Sequence, residues 1–179
     1  MVMYSAITLI LSIFMFSACG ITSKKEKDSA LFTISLHCTI HKPYCGGAKP
    51  TAEIAAGYDE PMKLEKFKLI KGKEYKEGMA VFQDVTLDEA GNTNLQLEKG
   101  EYMLLRADKF LALDDFIKEN GAIEKVNYQL KDNLCFSEWK NTVDKYFTVE
   151  KDASIEIHQK AKCWVGTNPC LIYIGPLAP

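Results

Sequence analysis

The sequence predicts a mostly β fold: a sandwich of seven or so short strands with one or two short helices inserted. Three observations carry this. Leu31 to Ile40 alternates apolar and polar residues with period two, as a half-buried strand does. Further strand-like runs follow at regular spacing, divided by turns rich in Gly, Asn and Asp. Helical spacing of the apolar residues is confined to about 107–141. With 47% hydrophobic and 26% charged residues the chain is built for a core and not for disorder. A net charge of -2 with interspersed signs argues against a nucleic-acid binder.

The first 19 residues differ from the rest. Met1 to Cys19 contains no charged residue, His, Pro or Gly, and Ala6 to Phe16 is an unbroken run of mostly apolar residues. That run suits the hydrophobic region of a signal peptide and is short for a membrane span. It ends in Phe16-Ser17-Ala18-Cys19-Gly20, which resembles a bacterial lipobox. The resemblance implies cleavage before Cys19, acylation of Cys19 and anchoring in membrane lipid. Residues 1–18 are then a lipoprotein signal peptide. Residues 19–30, polar and without apolar period, form a tether. Residues 31–179 form one domain, facing the periplasm or the cell surface of a bacterial envelope.

Within the domain, Phe32, Ile34, Leu36, Cys38 and Ile40 share one strand face and Thr33, Ser35, His37 and Thr39 the other. A long loop follows through Ala56, broken by Pro43, Gly46, Gly47 and Pro50. Met62–Ile70 and Ala80–Leu87 read as strands joined by a polar hairpin connection, Lys71–Gly78. Asp88–Asn92 is a turn, Thr93–Leu97 a strand, Glu98–Gly100 a turn and Glu101–Arg106 a strand. Asp108 is placed to cap a helix over Lys109–Asn120, with Phe110, Leu113, Phe116 and Ile117 on one face and Gly121 ending it. Asp132 or Asn133 is placed to cap a second helix through Asn141. Lys145–Val149, Ser154–Trp164 and Leu171–Ile174 return to strand.

The run Thr86-Leu-Asp88-Glu-Ala-Gly91-Asn-Thr-Asn-Leu95-Gln-Leu97-Glu-Lys-Gly100-Glu-Tyr102 resembles the carboxypeptidase regulatory-like domain. That family has a transthyretin (prealbumin)-like Greek-key β-sandwich: a strand, a Thr-x-Asp-x-x-Gly turn, a strand, then Leu-x-x-Gly-x-Tyr. Gly91 is expected to supply the positive φ of a hairpin. Tyr102 is expected to bury its ring while its hydroxyl finds a partner. The loop Tyr44–Pro50 and the Cys-rich tail also resemble envelope lipoproteins carrying this domain. The resemblance implies a non-catalytic module for folding support, adhesion or assembly; the helical insert is extra to that pattern.

With Cys19 assigned to lipid, Cys38, Cys45, Cys135, Cys163 and Cys170 remain. An exported chain favours disulfides, and five is odd, so a thiol is left over. Cys163 and Cys170 are spaced to staple the tail; alternatively Cys135 bridges to one of them, the pairing preferred here. Cys38 is then the expected free thiol, because its strand phase turns it inward.

The sharpest chemical hypothesis is a Zn²⁺ or copper site from His37, Cys38, His41 and Cys45. Strand geometry opposes most of it. His37 and Cys38 point to opposite faces, and His37 and His41 lie roughly 13 Å apart along a strand. Only His41 and Cys45 chelate readily, with His158 a further candidate. No motif supports a Cys45–His41 nucleophile. The acid pairs Asp59-Glu60 and Asp114-Asp115 read as solvent-facing, and the lysines from Lys63 to Lys76 as a solvated strand face that guards an edge. Loop aromatics Tyr44, Tyr58 and Tyr75 are the candidate partner face, on Tyr44–Tyr58 and Lys71–Gly78. The sequence therefore predicts no enzyme and no cofactor. It predicts a lipid-anchored envelope module with an envelope protein or glycan partner and no nucleic-acid partner; a metal module on His41 and Cys45 is the alternative.

Overall fold

In a computed structural model, residues 30–120 and 127–176 are described. Cys19, the expected site of acylation, and the signal peptide lie outside them, as does nearly all of the tether. In chain order the elements are β1 (Leu31–Lys42), α1 (Ala52–Ala55), β2 (Tyr58–Pro61), β3 (Lys66–Lys71), β4 (Gln83–Thr86), β5 (Asn92–Glu98), β6 (Gly100–Arg106), a 3-10 turn (Ala107–Phe110), α2 (Leu113–Asn120), β7 (Tyr128–Leu130), α3 (Asn133–Lys140), β8 (Lys145–Val149), β9 (Ala153–Lys160) and β10 (Leu171–Tyr173).

Two sheets make the sandwich. In the first, β1 is the spine. One of its edges pairs antiparallel with β5, from Leu31↔Glu98 to His37↔Asn92, and then with β2, from Thr39↔Pro61 to Lys42↔Tyr58. Its other edge pairs parallel with β9, from Ile34↔Ala153 to His41↔Lys160. The second sheet has the order β4-β3-β6-β8, all antiparallel.

The inner faces meet in one core. Ile34, Leu36, Cys38, Leu95, Leu97 and Ile157 from the first sheet pack against Phe67, Leu69, Val85, Tyr102, Leu104 and Val149 from the second. Each fully buried aliphatic side chain contributes about 1.5–3 kcal/mol of transfer free energy. The alternation in β1 produces the expected face: Ile34, Leu36 and Cys38 are buried, with Phe32 and Ile40 packed at the margins. The unbroken apolar run in β6 has a different cause. Tyr102 and Leu104 face the core, while Met103 and Leu105 face outward and are covered, with Ile70, by Tyr75, Met79, Phe110 and Val143.

Several boundaries differ from the sequence reading. Of the strand expected over Met62–Ile70 only Lys66 onward forms, because the chain changes sheet before it. Leu64 adopts φ 56 at the crossing, and β2 and β3 lie in opposite sheets. The turn at Asp88–Asn92 forms as expected locally: Asp88 Oδ1 accepts from Ala90 N at 2.9 Å and from Asn92 N at 2.7 Å. Gly91 has φ +76, and a Cβ there would lie 2.5 Å from Cys38 O. It is a corner between sheets and not the expected hairpin, since β4 and β5 belong to different sheets. Glu98–Gly100 crosses back, and Tyr102 closes that corner: its ring is buried and its hydroxyl donates to Glu98 O at 3.0 Å.

The helical insert occupies the connection between β6 and β8, which are neighbours in the second sheet. The expected helix Lys109–Asn120 is broken. A 3-10 turn ends at Phe110, Leu111 is extended, and α2 begins at Leu113. Asp132 caps α3 as expected, accepting from Cys135 N at 2.6 Å. Phe116, Phe136, Trp139 and Cys170 form a small separate core. The neck of the insert is held by Asp144. Its carboxylate accepts from Arg106 N at 2.8 Å and from Lys109 Nζ at 2.9 Å, and its own N–H donates to Leu104 O at 3.0 Å. Lys109 Nζ also donates to Thr142 O at 2.7 Å and sits over the Trp139 ring. This ammonium is almost wholly buried and fully partnered.

The C-terminal strands also shift. The run expected to continue to Trp164 stops at Lys160, and a tight turn follows in which Lys162 bridges to Gly166. β10 pairs with β7 in a two-stranded sheet outside the sandwich. The disulfides are Cys45–Cys163 and Cys135–Cys170. Cys135 does bridge to the C-terminal pair, and the Cys163–Cys170 staple does not form. Cys38 is the free thiol among the described residues.

Candidate functional site

Three features compete for a functional role, and each is built at one end or face of the sandwich. The first is a groove beyond the C-terminal end of β1. Pro43, lacking an N–H, follows the last residue of β1. Thr51 caps the single turn α1, its hydroxyl accepting from Ile54 N at 3.4 Å. Gly57, at φ +73, reverses the chain into β2, and a Cβ there would lie 2.3 Å from Lys42 O. The loop between β1 and β2 is thus held at both ends. Cys45 joins it to Cys163 in the turn after β9. Trp164 stands next in that turn, at φ 71, and its ring lies 5.4 Å from that of Tyr173.

The result is an open hollow of about 560 Å³ whose walls include Tyr44, Ile54, Tyr58 and Trp164, with the Cys45 sulfur alongside. Ile54 is 53% exposed, Tyr58 59% and Trp164 41%. Tyr44 is tied down by its hydroxyl, which donates to Ala48 O at 3.1 Å. Glu53 is the one charged residue of the lining. Of the three tyrosines expected at a partner face, Tyr44 and Tyr58 are brought together. Tyr75 is elsewhere, half-buried against Phe110 with ring centres 6.4 Å apart, and burial pushes its phenol pKa up. The Lys71–Gly78 loop is a lid on the second sheet. Sequence reasoning missed Ile54 and Trp164: a four-residue helix has no period to find, and Trp164 falls at the end of a run that alternates like a strand.

The second feature is the outer face of the first sheet, which carries all three histidines. His37 Nδ1 donates to Asn92 Oδ1 at 2.5 Å. His41 lies directly across from Asp59, and its Nδ1 is 2.8 Å from Asp59 Oδ1. His158 lies across from Thr39, on the opposite edge of β1, with Nε2 3.9 Å from the same Asp59 oxygen. The expected His41–Cys45 metal pair does not exist, because the Cys45 sulfur is bonded to Cys163 and a disulfide sulfur is no thiolate ligand. His37 is held apart by Asn92.

The third feature is a second hollow of about 360 Å³ lined by Lys42, Glu60, Lys63, Glu65, Arg106 and Asn168 among others. Its carboxylates are paired with cations, Glu60 with Lys42 and Glu65 with Arg106. Arg106 reaches Glu65 at 3.5 Å and Asp108 at 2.7 Å, and its guanidinium also donates to Thr167. Burial raises the carboxyl pKa of both Glu65 and Asp108, against the pull of Arg106. This is the chemistry of a structural ion network joining the second sheet to the C-terminal turn. The lysines Lys68, Lys71 and Lys73 are likewise paired, with Asp84, Glu98 and Glu101, on a solvated face.

No protein-family model and no curated protein matches the chain. Among solved structures it is similar to a minor pilin of the Gram-positive pathogen Streptococcus agalactiae. Identity is 12% and the TM-score 0.34, over 74% of this chain and 44% of that one. It is also similar to the shaft pilin SpaA of Lactobacillus rhamnosus GG, in two mutant forms. One match has 10% identity and a TM-score of 0.40, over 74% of this chain and 51% of that one. The other has 10% identity and a TM-score of 0.36, over 73% and 48%. The chain therefore spans about half the length of these pilins. Similarity at this level concerns the fold alone, and the sheet pairing described above establishes the sandwich without it.

Proposed function

We propose that this chain is a non-catalytic, lipid-anchored module of a bacterial cell envelope that docks an envelope protein in the groove beside the Cys45–Cys163 disulfide. The observation that carries the reading is the exposed cluster Tyr44, Ile54, Tyr58 and Trp164, which covers no part of the core. Aromatic residues set in a rigid apolar concavity are the usual anchors of protein recognition. With Glu53 the lone charge, the lining is poor in the amide and guanidinium groups that fix sugar hydroxyls, which favours a protein over a glycan partner. Support for non-catalysis is that the disulfide removes Cys45 as a nucleophile, while Cys38 is buried in the core. Support for the anchor is the Ser17-Ala18-Cys19 sequence. No helix among the described residues is long and apolar enough to cross a membrane.

Two measurements test the parts separately. Intact mass of the membrane-extracted protein is expected to start at Cys19 and include acyl chains; an unacylated mature chain in the soluble fraction overturns the anchor. In-cell crosslinking from Tyr58 is expected to yield one defined adduct with an envelope protein. Trp164→Ala and Ile54→Asp should each reduce that adduct at least tenfold, while Lys68→Glu on the other sheet leaves it intact. An adduct indifferent to both groove substitutions removes the docking reading.

A further inference from the structure

Apart from the groove, the outer face of the first sheet brings two imidazoles and a carboxylate to one place. We infer that His41, Asp59 and His158 form a divalent transition-metal site and that Zn²⁺ is the ion it takes. One ligand atom from each lies within 4.8 Å of the other two. They come from three adjacent strands: His41 from β1, Asp59 from β2 on one edge of it, and His158 from β9 on the other. Ligands carried on neighbouring strands of a paired sheet are fixed by backbone hydrogen bonds, which is the preorganisation a metal site needs. Sequence separation hides the set. Asp59 is brought to His41 by an antiparallel register and His158 by a parallel one.

The orientation of each group fits. Thr39 Oγ1 and His158 Nδ1 are hydrogen-bonded at 2.9 Å, so the outer-shell hydroxyl sets the ring and turns Nε2 toward Asp59. That Nε2 stands 3.9 Å from Asp59 Oδ1. The gap is beyond hydrogen-bond reach, yet it is close to the roughly 3.3 Å that separates two ligands of one tetrahedral ion with bonds near 2.0–2.1 Å. His41 Nδ1, at 2.8 Å, now shares a proton with the same carboxylate. Zn²⁺ takes that position on Nδ1, and the neutral ring then carries its one proton on Nε2, as the other tautomer. Both openings are rotations of partly exposed side chains: His41 is 30% exposed, Asp59 58% and His158 45%. The ion therefore has an entry path, and water completes the coordination.

Two imidazoles and one carboxylate suit Zn²⁺, with no thiolate or thioether to favour Cu⁺. A structural reading of the cluster, as two histidine–aspartate ion pairs, explains the His41 contact. It leaves the 3.9 Å gap between His158 Nε2 and Asp59 Oδ1 outside hydrogen-bond reach.

The test is calorimetric titration of the untagged, disulfide-intact chain with Zn²⁺ alone. One Zn²⁺ per chain is expected. His41→Ala, His158→Ala and Asp59→Asn should each weaken binding at least tenfold. Thr39→Val, which frees the His158 ring without removing a ligand, should weaken it severalfold. His37→Ala, on the same face but held by Asn92, should leave the affinity unchanged. All of these side chains are outside the core, and the far-UV spectrum of each variant checks that the sheets are intact. Absence of stoichiometric binding overturns the inference. So does an affinity unaffected by loss of either His41 or His158, or a loss in His37→Ala equal to theirs. The outcome is independent of the groove, which shares none of these three ligands.

Discussion

Cys38 shows how one side chain can be chemically silent for a structural reason. It lies in the centre of the sandwich with no exposed surface. Burial, with the negative field of Glu65 as a smaller cause, pushes its thiol pKa up from 9.0 to about 11. The thiolate is the reactive form, so the thiol is expected to resist alkylation at pH 8 until denaturant is added; rapid modification of the native protein would contradict its placement. The pH dependence has a definite sign. Between pH 9 and 11 the unfolded chain has lost a proton that the folded chain retains, so stability falls as pH rises through that window. Denaturant midpoints measured from pH 8 to 11 should decline, and Cys38→Ala should flatten the decline. Glu65 and Asp108 act in the same direction in the acidic range. Their raised carboxyl pKa values mean that folding takes up protons there, so these two groups favour the folded state more as pH drops.

Among the elements, the neck of the insert concentrates the most electrostatic risk. Lys109 is buried with its charge balanced by Asp144, Thr142 O and the Trp139 ring. Removing one partner of a buried ion pair leaves an uncompensated charge and typically costs about 3–5 kcal/mol. Asp144→Ala should therefore lower stability by that order, and Lys109→Met, which removes the charge itself, should cost less. Chemical denaturation of both variants checks the ranking. This neck was not legible in the sequence, where Lys109 reads as the polar start of a helix. What was legible followed from local rules: the faces of β1, the Asp88 turn, the Asp132 cap, and the inward phase of Cys38. What was not depended on which strands pair. The late start of β3 within Met62–Ile70, the corner at Gly91, and the meeting of His41 with Asp59 and His158 are consequences of register between distant segments. Tyr44 and Tyr58 could be named from the sequence as loop aromatics, but only the Cys45–Cys163 bond reveals Trp164 as their neighbour.

At the scale of the whole molecule, the sandwich core and the core of the insert are of unequal size. The sandwich core draws on seven strands and loops between them, whereas the insert rests on Phe116, Phe136, Trp139 and Cys170. The Cys135–Cys170 bond ties α3 to the segment entering β10. A disulfide of this kind contributes about 2–4 kcal/mol, largely by restricting the unfolded chain. Replacing both cysteines by serine is expected to expose amides of α3 and β7 to rapid hydrogen exchange while those of β1, β3, β5 and β6 keep their protection. Uniform loss across both regions would show instead that the insert and the sandwich unfold as one unit.

The parallel pairing of β1 with β9 also sets an order of events in time. β1 ends at Lys42 and its partner begins only at Ala153. Synthesis at about 5–20 residues per second places that partner roughly 5–20 seconds behind. Through that interval β5 and β2 can occupy one edge of β1, but the other edge presents bare amides and carbonyls to any strand nearby. Such long-range pairing is also slow once both strands are present. The nascent chain therefore carries its own aggregation hazard, located at residues 34–41, and holding that edge unpaired until the end of translation is a task for whatever escorts it.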